Sequence, residues 1–283
     1  MKEKTVAAIV LDKSGSMART ASQTVTGFNE YVQQIKQNAA GIPTEVCLIT
    51  FNGEVYEHLW LEPVEKLAEA QPGEYVAQGS TAFYDALNYT INKLQKTGYD
   101  EATTSYLIIV ISDGEENASL HTNIAALREQ IQGCDTKENW TITYMGCDKN
   151  YLKKVAKDTG IPLSNMAAWS NQSAEQASYG YSSSAGKVGK FMQSRTSGIR
   201  GQSCNFYSAD ASQSADFAEV DQSVDIYKNP PDVNINMFVP PVITPNFGVN
   251  QNYVQAQVMT SDIHIKGTTN EGVFRSNSPV TWE

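Results

Sequence analysis

The sequence predicts an α/β protein: a doubly wound, mostly parallel sheet with helices on both faces, followed by a Pro-rich, β-rich C-terminal extension. Three observations predict it. Short apolar runs, Val6 to Leu11 and Tyr106 to Ser112, read as buried strands, and the first reads as covered on both faces. Between such runs lie stretches with apolar residues at steps of 3 and 4, as in Val25, Phe28, Val32 and Ile35, which mark one face of a helix. Beyond Gly198 the composition changes. From Gly201 to Glu283 there are three basic and nine acidic residues, and half of the ten prolines fall between Pro230 and Pro245. The expected division is one domain over residues 1–198 and an appendage over 199–283.

Taken in order, the first strand is too short to cross a bilayer and ends in Asp12-Lys13-Ser14-Gly15-Ser16. One carboxylate and two hydroxyls stand at alternate positions, with Gly15 allowing a sharp turn. Hard oxygen donors at the carboxyl end of a buried parallel strand suit Mg²⁺, Mn²⁺ or Ca²⁺, and no Cys or His lies in reach for zinc. The helix marked by Val25 to Ile35 is stopped by Gly41-Ile42-Pro43. Glu45 to Phe51 is the second strand, and Asn52-Gly53 reads as a two-residue hairpin leading into Glu54 to Trp60, an antiparallel edge strand. His58 on that strand reads as surface or edge packing. After Thr81 comes a helix bearing Leu87, Ile91 and Leu94, with Gly98 as its C-terminal cap. Asp85, one turn into it, reads as a carboxylate favoured by the positive helix end.

Tyr106 to Ser112 is expected beside the first strand at the sheet centre, and the acidic loop Asp113-Gly114-Glu115-Glu116-Asn117 follows it. Glu115 and Glu116 read as solvated loop charges. Ile124, Leu127 and Ile131 mark the next helix, Trp140 to Met145 a strand, and Tyr151 to Thr159 a helix capped by Gly160. Leu163 to Trp169 is expected as a last edge strand, and Ala174 to Met192 as a closing helix interrupted by Gly180, Gly186 and Gly189. Right-handed crossovers then bring the carboxyl ends of the parallel strands to one rim. In the extension, Val249 to Met259 and Ile263 to Lys266 read as short extended runs, with no metal or catalytic motif.

A formal net charge of -10 argues against nucleic acid, whose binding relies on a basic patch. The start of the chain has no basic segment followed by an apolar one, so neither a signal peptide nor a membrane span is expected. Cys47, Cys134, Cys147 and Cys204 are widely spaced and fit small buried side chains better than a disulfide framework, which points to a reducing cytoplasm.

Asp-x-Ser-x-Ser at the end of a first strand resembles the metal-ion-dependent adhesion site (MIDAS) of von Willebrand factor A domains. That resemblance calls for a threonine in a Gly-rich loop before a helix and an aspartate after a later buried strand. Gly79-Ser80-Thr81 and Asp113-Gly114 supply them. It covers roughly residues 1–198 and implies a Rossmann-like fold with an ion, Mg²⁺ first, held directly by Ser14, Ser16 and Thr81. Asp12 and Asp113 match the carboxylates that act through bound water. A site with so few direct anionic ligands leaves room for an Asp or Glu from a partner protein. A closer resemblance is to compact intracellular members from bacteria and their phages, including those encoded beside tellurium-resistance systems. It rests on Asp-x-Ser-Gly-Ser-Met, Gly-Ser-Thr-Ala-x-x-Asp-Ala, Ser-Asp-Gly-x-Glu-Asn-Ala-Ser and Tyr-Met-Gly-Cys-Asp.

Enzyme readings fail on the residues. An aspartyl-phosphate phosphatase needs a second Asp two positions after the first, where this chain has Ser14. Neither Ser14 nor Ser16 sits in a Gly-x-Ser-x-Gly elbow, and the Gly-rich phosphate loops are missing. The expectation is a non-enzymatic regulatory adaptor that captures a partner carboxylate through the ion. The alternative is a structural component of a phage-like particle, located in the virion and self-assembling through its C-terminal arm.

Overall fold

The computed structural model describes residues 3–113, 115–147, 149–169, 174–199, 206–207, 272–274 and 278–282. Six strands, β1 (Lys4–Asp12), β2 (Thr44–Phe51), β3 (Val55–Pro63), β4 (Thr104–Ile111), β5 (Trp140–Gly146) and β6 (Met166–Ala168), form one sheet in the order β3-β2-β1-β4-β5-β6. Every neighbouring pair is parallel except β2 and β3. β1 sits between β2 and β4, as its apolar run requires, and is buried from Thr5 to Asp12. Alternate residues face opposite layers. Ala7, Ile9 and Leu11 pack with residues of α1 (Ala21–Asn38) and α5 (Ala174–Thr196). Val6, Ala8 and Val10 pack with α2 (Phe83–Gln95), α3 (Ile124–Asp135) and α4 (Lys149–Thr159). The chain is thus the doubly wound α/β fold that the sequence predicts.

Register carries the functional residues to one rim. Leu11 pairs with Ile111, so Asp12 and Ser112, each one residue on, lie side by side at the carboxyl ends of the two central strands. Asp113 follows at once.

Three local expectations need correction. Asn52-Gly53 marks the hairpin correctly, but the loop has three residues: Phe51 pairs with Val55, and Asn52 N–H donates to Glu54 O at 2.9 Å. Gly53 has no positive φ; a Cβ there would stand 2.7 Å from Ser80 Oγ, so the glycine serves close approach of the next loop. The closing helix runs unbroken from Ala174 to Thr196. A Cβ on its Gly189 would lie 2.2 Å from Gln34 Oε1, so this glycine admits α1 at short range without interrupting α5. The last strand is short because Leu163–Asn165 forms a 3-10 turn, leaving only Met166–Ala168 to pair with β5.

Cys47 and Cys134 are buried thiols, and Cys204 lies outside the described residues. So do the extended runs expected at 249–259 and 263–266. The described parts of the appendage lie on the domain: Phe206, Tyr207 and Val273 are buried in the α1/α5 layer. No described helix is long and apolar enough to cross a membrane.

Helices α1 and α5 approach each other closely at two glycines, Gly27 and Gly189. A Cβ on Gly27 would come within 2.2 Å of the Tyr181 ring, which is itself fully buried. Gly27→Ala should therefore destabilise the protein despite a gain of up to about 1 kcal/mol in helix propensity, because overpacking costs about 1–3 kcal/mol. Thermal unfolding should show a midpoint lowered by several degrees; an unchanged or raised midpoint would mean that the two helices are not packed this closely.

Candidate metal centre

Asp12 is wholly buried at the end of β1. Its Oδ1 accepts Ser14 N–H at 2.6 Å, its Oδ2 accepts the Ser112 hydroxyl, and its carbonyl accepts the Tyr75 hydroxyl. Burial pushes its pKa up to about 7, against the hydrogen bonds from Ser112 and Ser14, which favour the carboxylate; the nearby Asp113 charge adds to the rise. Ser14 Oγ lies 3.1 Å from Ser16 Oγ, and Ser16 Oγ donates to Asp113 Oδ1 at 2.7 Å. Burial also raises the Asp113 pKa, opposed by the Ser16 hydrogen bond and the Arg19 charge. The four side chains Asp12, Ser14, Ser16 and Asp113 thus form one group of oxygens at the rim.

Thr81 reaches the same rim from the loop before α2. It is buried, and its backbone is held on both sides by the loop after β4. Thr81 N–H donates to Asn117 Oδ1 at 2.9 Å, while Asn117 and Ala118 N–H donate to Thr81 O at 3.0 and 3.1 Å. The first loop is joined to this pair by Gly15 N–H to Gly79 O at 2.9 Å and Gln78 N–H to Lys13 O at 2.7 Å. Ala82 N–H donates to Asn52 O at 2.6 Å, which ties in the β2–β3 hairpin. All five residues singled out in the sequence are therefore carried by loops bonded directly to one another.

The donor set fits a hard divalent cation. Among the described residues there is no group of three or more His, Cys, Asp or Glu that could hold a metal, so hydroxyls would have to supply most of the direct ligands of an ion here. Adjacent oxygens around an octahedral Mg²⁺ stand about 3 Å apart, given Mg–O distances of about 2.1 Å. The Ser14–Ser16 separation of 3.1 Å is of that size.

Two acidic residues have roles that the sequence reading misses. Helix α2 begins after Ala82, which offers no side-chain cap. The loop after β4 supplies one instead: Glu116 accepts Tyr84 N–H at 2.9 Å, and Ser119 Oγ accepts Asp85 N–H at 3.0 Å. Glu116 also accepts Ala118 and Ser119 N–H, so it is an anchor and no solvated charge. Asp85 is buried and accepts Leu120 N–H at 2.8 Å and His121 N–H at 3.1 Å, which returns the clamp in the other direction. A Glu three residues before a Ser within Ser-Asp-Gly-x-Glu-Asn-Ala-Ser was the available signal. What it lacked was the partner helix. The described histidines stand apart from the oxygens: His58 Nε2 bonds Thr50 Oγ1 at 2.7 Å, with burial lowering its pKa to about 4, and His121 stacks on Trp282.

The neighbouring acids Glu115 and Glu116 should separate sharply on substitution. Glu116→Ala strips acceptors from three backbone N–H groups and should cost at least about 2 kcal/mol, whereas exposed Glu115→Ala should stay within about 0.5 kcal/mol of wild type. Urea unfolding of both variants checks this; equal midpoints would show that the Glu116 clamp contributes nothing.

The profile of the von Willebrand factor type A domain matches residues 8–176. Among solved structures, a von Willebrand factor type A protein from Catenulispora acidiphila aligns with a TM-score of 0.46 at 15% identity, over 66% of this chain and 43% of that one. The pilus adhesin SpaC from Lactobacillus rhamnosus GG gives 0.49 at 14%, over 68% of this chain and 31% of that one. The minor pilin PilB from Streptococcus sanguinis gives 0.44 at 12%, over 68% and 63%. The match thus takes in less than half of the length of the first two, and at these identities the likeness concerns the fold alone. No curated protein matches the sequence.

Proposed function

Because the chain belongs to the von Willebrand factor type A domain family, whose domains mediate protein–protein interactions, we propose that it is a protein-binding module that captures a partner Asp or Glu through a divalent cation. The observation that carries this reading is the linked set of Ser14, Ser16 and Asp113 oxygens beside buried Asp12, with Thr81 fixed on the adjoining loop. Ser14, Ser16 and Thr81 would hold the ion by their hydroxyls, with Asp12 and Asp113 orienting those hydroxyls and supplying charge. Mg²⁺ is the first choice among hard ions, since a small oxygen-lined site suits it. When bound, the ion supplies a positive centre with few anionic ligands, which a carboxylate from outside can join. A regulatory adaptor is the role this arrangement serves.

The residues favour capture over catalysis. The Ser16 hydroxyl is committed to Asp113, and the two described histidines are engaged with Thr50 and Trp282. Among the described residues, neither serine is paired with a histidine that would activate it as a nucleophile. The structural-component reading rests on the appendage. Its described residues lie against their own domain, which favours the adaptor.

Thermal unfolding in EDTA and in added Mg²⁺, Mn²⁺ or Ca²⁺ tests the site. An ion that binds only the folded state raises the midpoint by mass action. Wild type should gain stability equivalent to about 2.7 kcal/mol at 100 times the ion's Kd, and Asp113→Ala should lose most of that gain. No shift with any of the three ions would overturn the proposal.

A further inference from the structure

Two successive carbonyls of the first rim loop are gripped by one stretch of irregular chain. The Tyr75 hydroxyl donates to Asp12 O, and Gln78 N–H donates to Lys13 O at 2.7 Å. The Asp12–Lys13 peptide is also held at its other end, where Lys13 N–H donates to Phe51 O at 2.6 Å. A peptide unit is planar, so fixing both of its ends fixes the direction in which the chain enters the turn that carries Ser14 and Ser16. The placement of Tyr75 therefore bears on the placement of both hydroxyls.

Residues 71–78 form neither helix nor strand, so no ladder of backbone hydrogen bonds fixes Tyr75, and its position comes from packing on both flanks. On one flank α1 holds the preceding residue: Ala70 N–H donates to Asn29 Oδ1 at 2.8 Å, and Asn29 Nδ2 donates to Ala70 O at 3.0 Å. On the other lies the end of the chain. The Phe274 ring meets the Tyr75 ring edge at 6.0 Å and 62°, and lies 5.6 Å from Phe28 of α1 and 5.7 Å from His58 of β3, centroid to centroid. Lys13 Nζ stands 5.7 Å from the same ring and 5.9 Å from that of Tyr56, within the range of a cation–π contact. Val273 is buried in the α1/α5 layer, and a Cβ on Gly272 would stand 2.4 Å from Glu74 Oε1, so the backbone itself lies against the stretch. Phe274 is thus wedged between Tyr75, β3 and the lysine inside the Asp-x-Ser-x-Ser motif.

We propose that Phe274 and Tyr75 are positioning residues of the candidate metal centre: the Phe274 ring backs the Tyr75 ring, the Tyr75 hydroxyl fixes the Asp12–Lys13 peptide, and that peptide presents the Ser14 and Ser16 hydroxyls. The inference rests on the metal reading above and extends it to the far end of the chain. Neither residue would touch the ion. Both act through the peptide before Ser14, as outer partners whose loss costs about 10–100-fold in metal affinity.

Mn²⁺ binding is titrated by electron paramagnetic resonance of the free ion, on full-length wild type, Tyr75→Phe, Phe274→Ala and Phe274→Tyr, each at a temperature where it is folded in EDTA. Tyr75→Phe should bind at least about tenfold and Phe274→Ala at least about fivefold more weakly, while Phe274→Tyr, which keeps the ring, should match wild type. Tyr75→Phe/Phe274→Ala should bind within about twofold of Tyr75→Phe alone, because two residues acting in series are not additive. Wild-type affinity in Tyr75→Phe or in folded Phe274→Ala, or full additivity in the double variant, would overturn the inference and leave the metal reading standing. Wild type that binds no Mn²⁺ would overturn both. Tyr75→Phe removes one oxygen and keeps the ring, so it gives an answer even where Phe274→Ala unfolds. Hydrogen exchange in EDTA adds a readout without any ion: the Ser14 and Gly15 amides should exchange at least about tenfold faster in Phe274→Ala than in wild type, with the Ile9 amide of β1 unchanged. A uniform rise at all three amides, or none, would equally overturn the inference.

Discussion

A buried carboxylate at the end of the central strand is the constraint on which the rest depends. Asp12 has no solvent contact, and removing an ionised group from water is costly unless donors replace the water. The structure provides them from two directions, the Ser14 backbone and the Ser112 hydroxyl, and a third hydrogen bond, from Tyr75, goes to the Asp12 backbone carbonyl. The first fixes the turn that presents Ser14 and Ser16. The second locks the end of β1 to the end of β4, where Asp113 begins. The third brings in the stretch that leads to Thr81. One residue thus aligns all three loops, and the raised pKa of its carboxyl reflects how little water reaches it.

The loops are joined to one another by hydrogen bonds that cross between them. Glu116 and Ser119 cap a helix to which they do not belong, and Asp85 on that helix holds the loop in return. Asn117 closes the pair at Thr81. Thr81 and Asp113 are consequently carried on one rigid unit, with the first loop attached through Gly15 and Gln78. If the rim binds an ion as proposed above, hydroxyls held by these loops would lower the ordering cost of binding.

The strands and most helices were legible because burial on both faces leaves an unbroken apolar run and burial on one face leaves a 3–4 period. The five rim residues were legible because a short motif places three of them within one turn, and the resemblance located Thr81 and Asp113. Contacts between distant segments left no comparable trace. In sequence Gly189 reads as a helix breaker and Gly53 as a turn residue; in the fold each admits a distant side chain, Gln34 and Ser80. Glu115 and Glu116 are adjacent residues of one type, yet of the two it is Glu116 that accepts a backbone N–H at the start of α2. The pairing of Trp282 with His121 spans most of the chain and has no periodic signature.

We propose that this rim is a cation site built from hydroxyls aligned by a buried carboxylate. Anomalous diffraction from crystals grown with saturating Mn²⁺ tests this. One peak should stand at the rim, within about 2.0–2.6 Å of Ser14 Oγ and Ser16 Oγ. No peak at the rim, or Mn²⁺ bound only elsewhere on the protein, would contradict it.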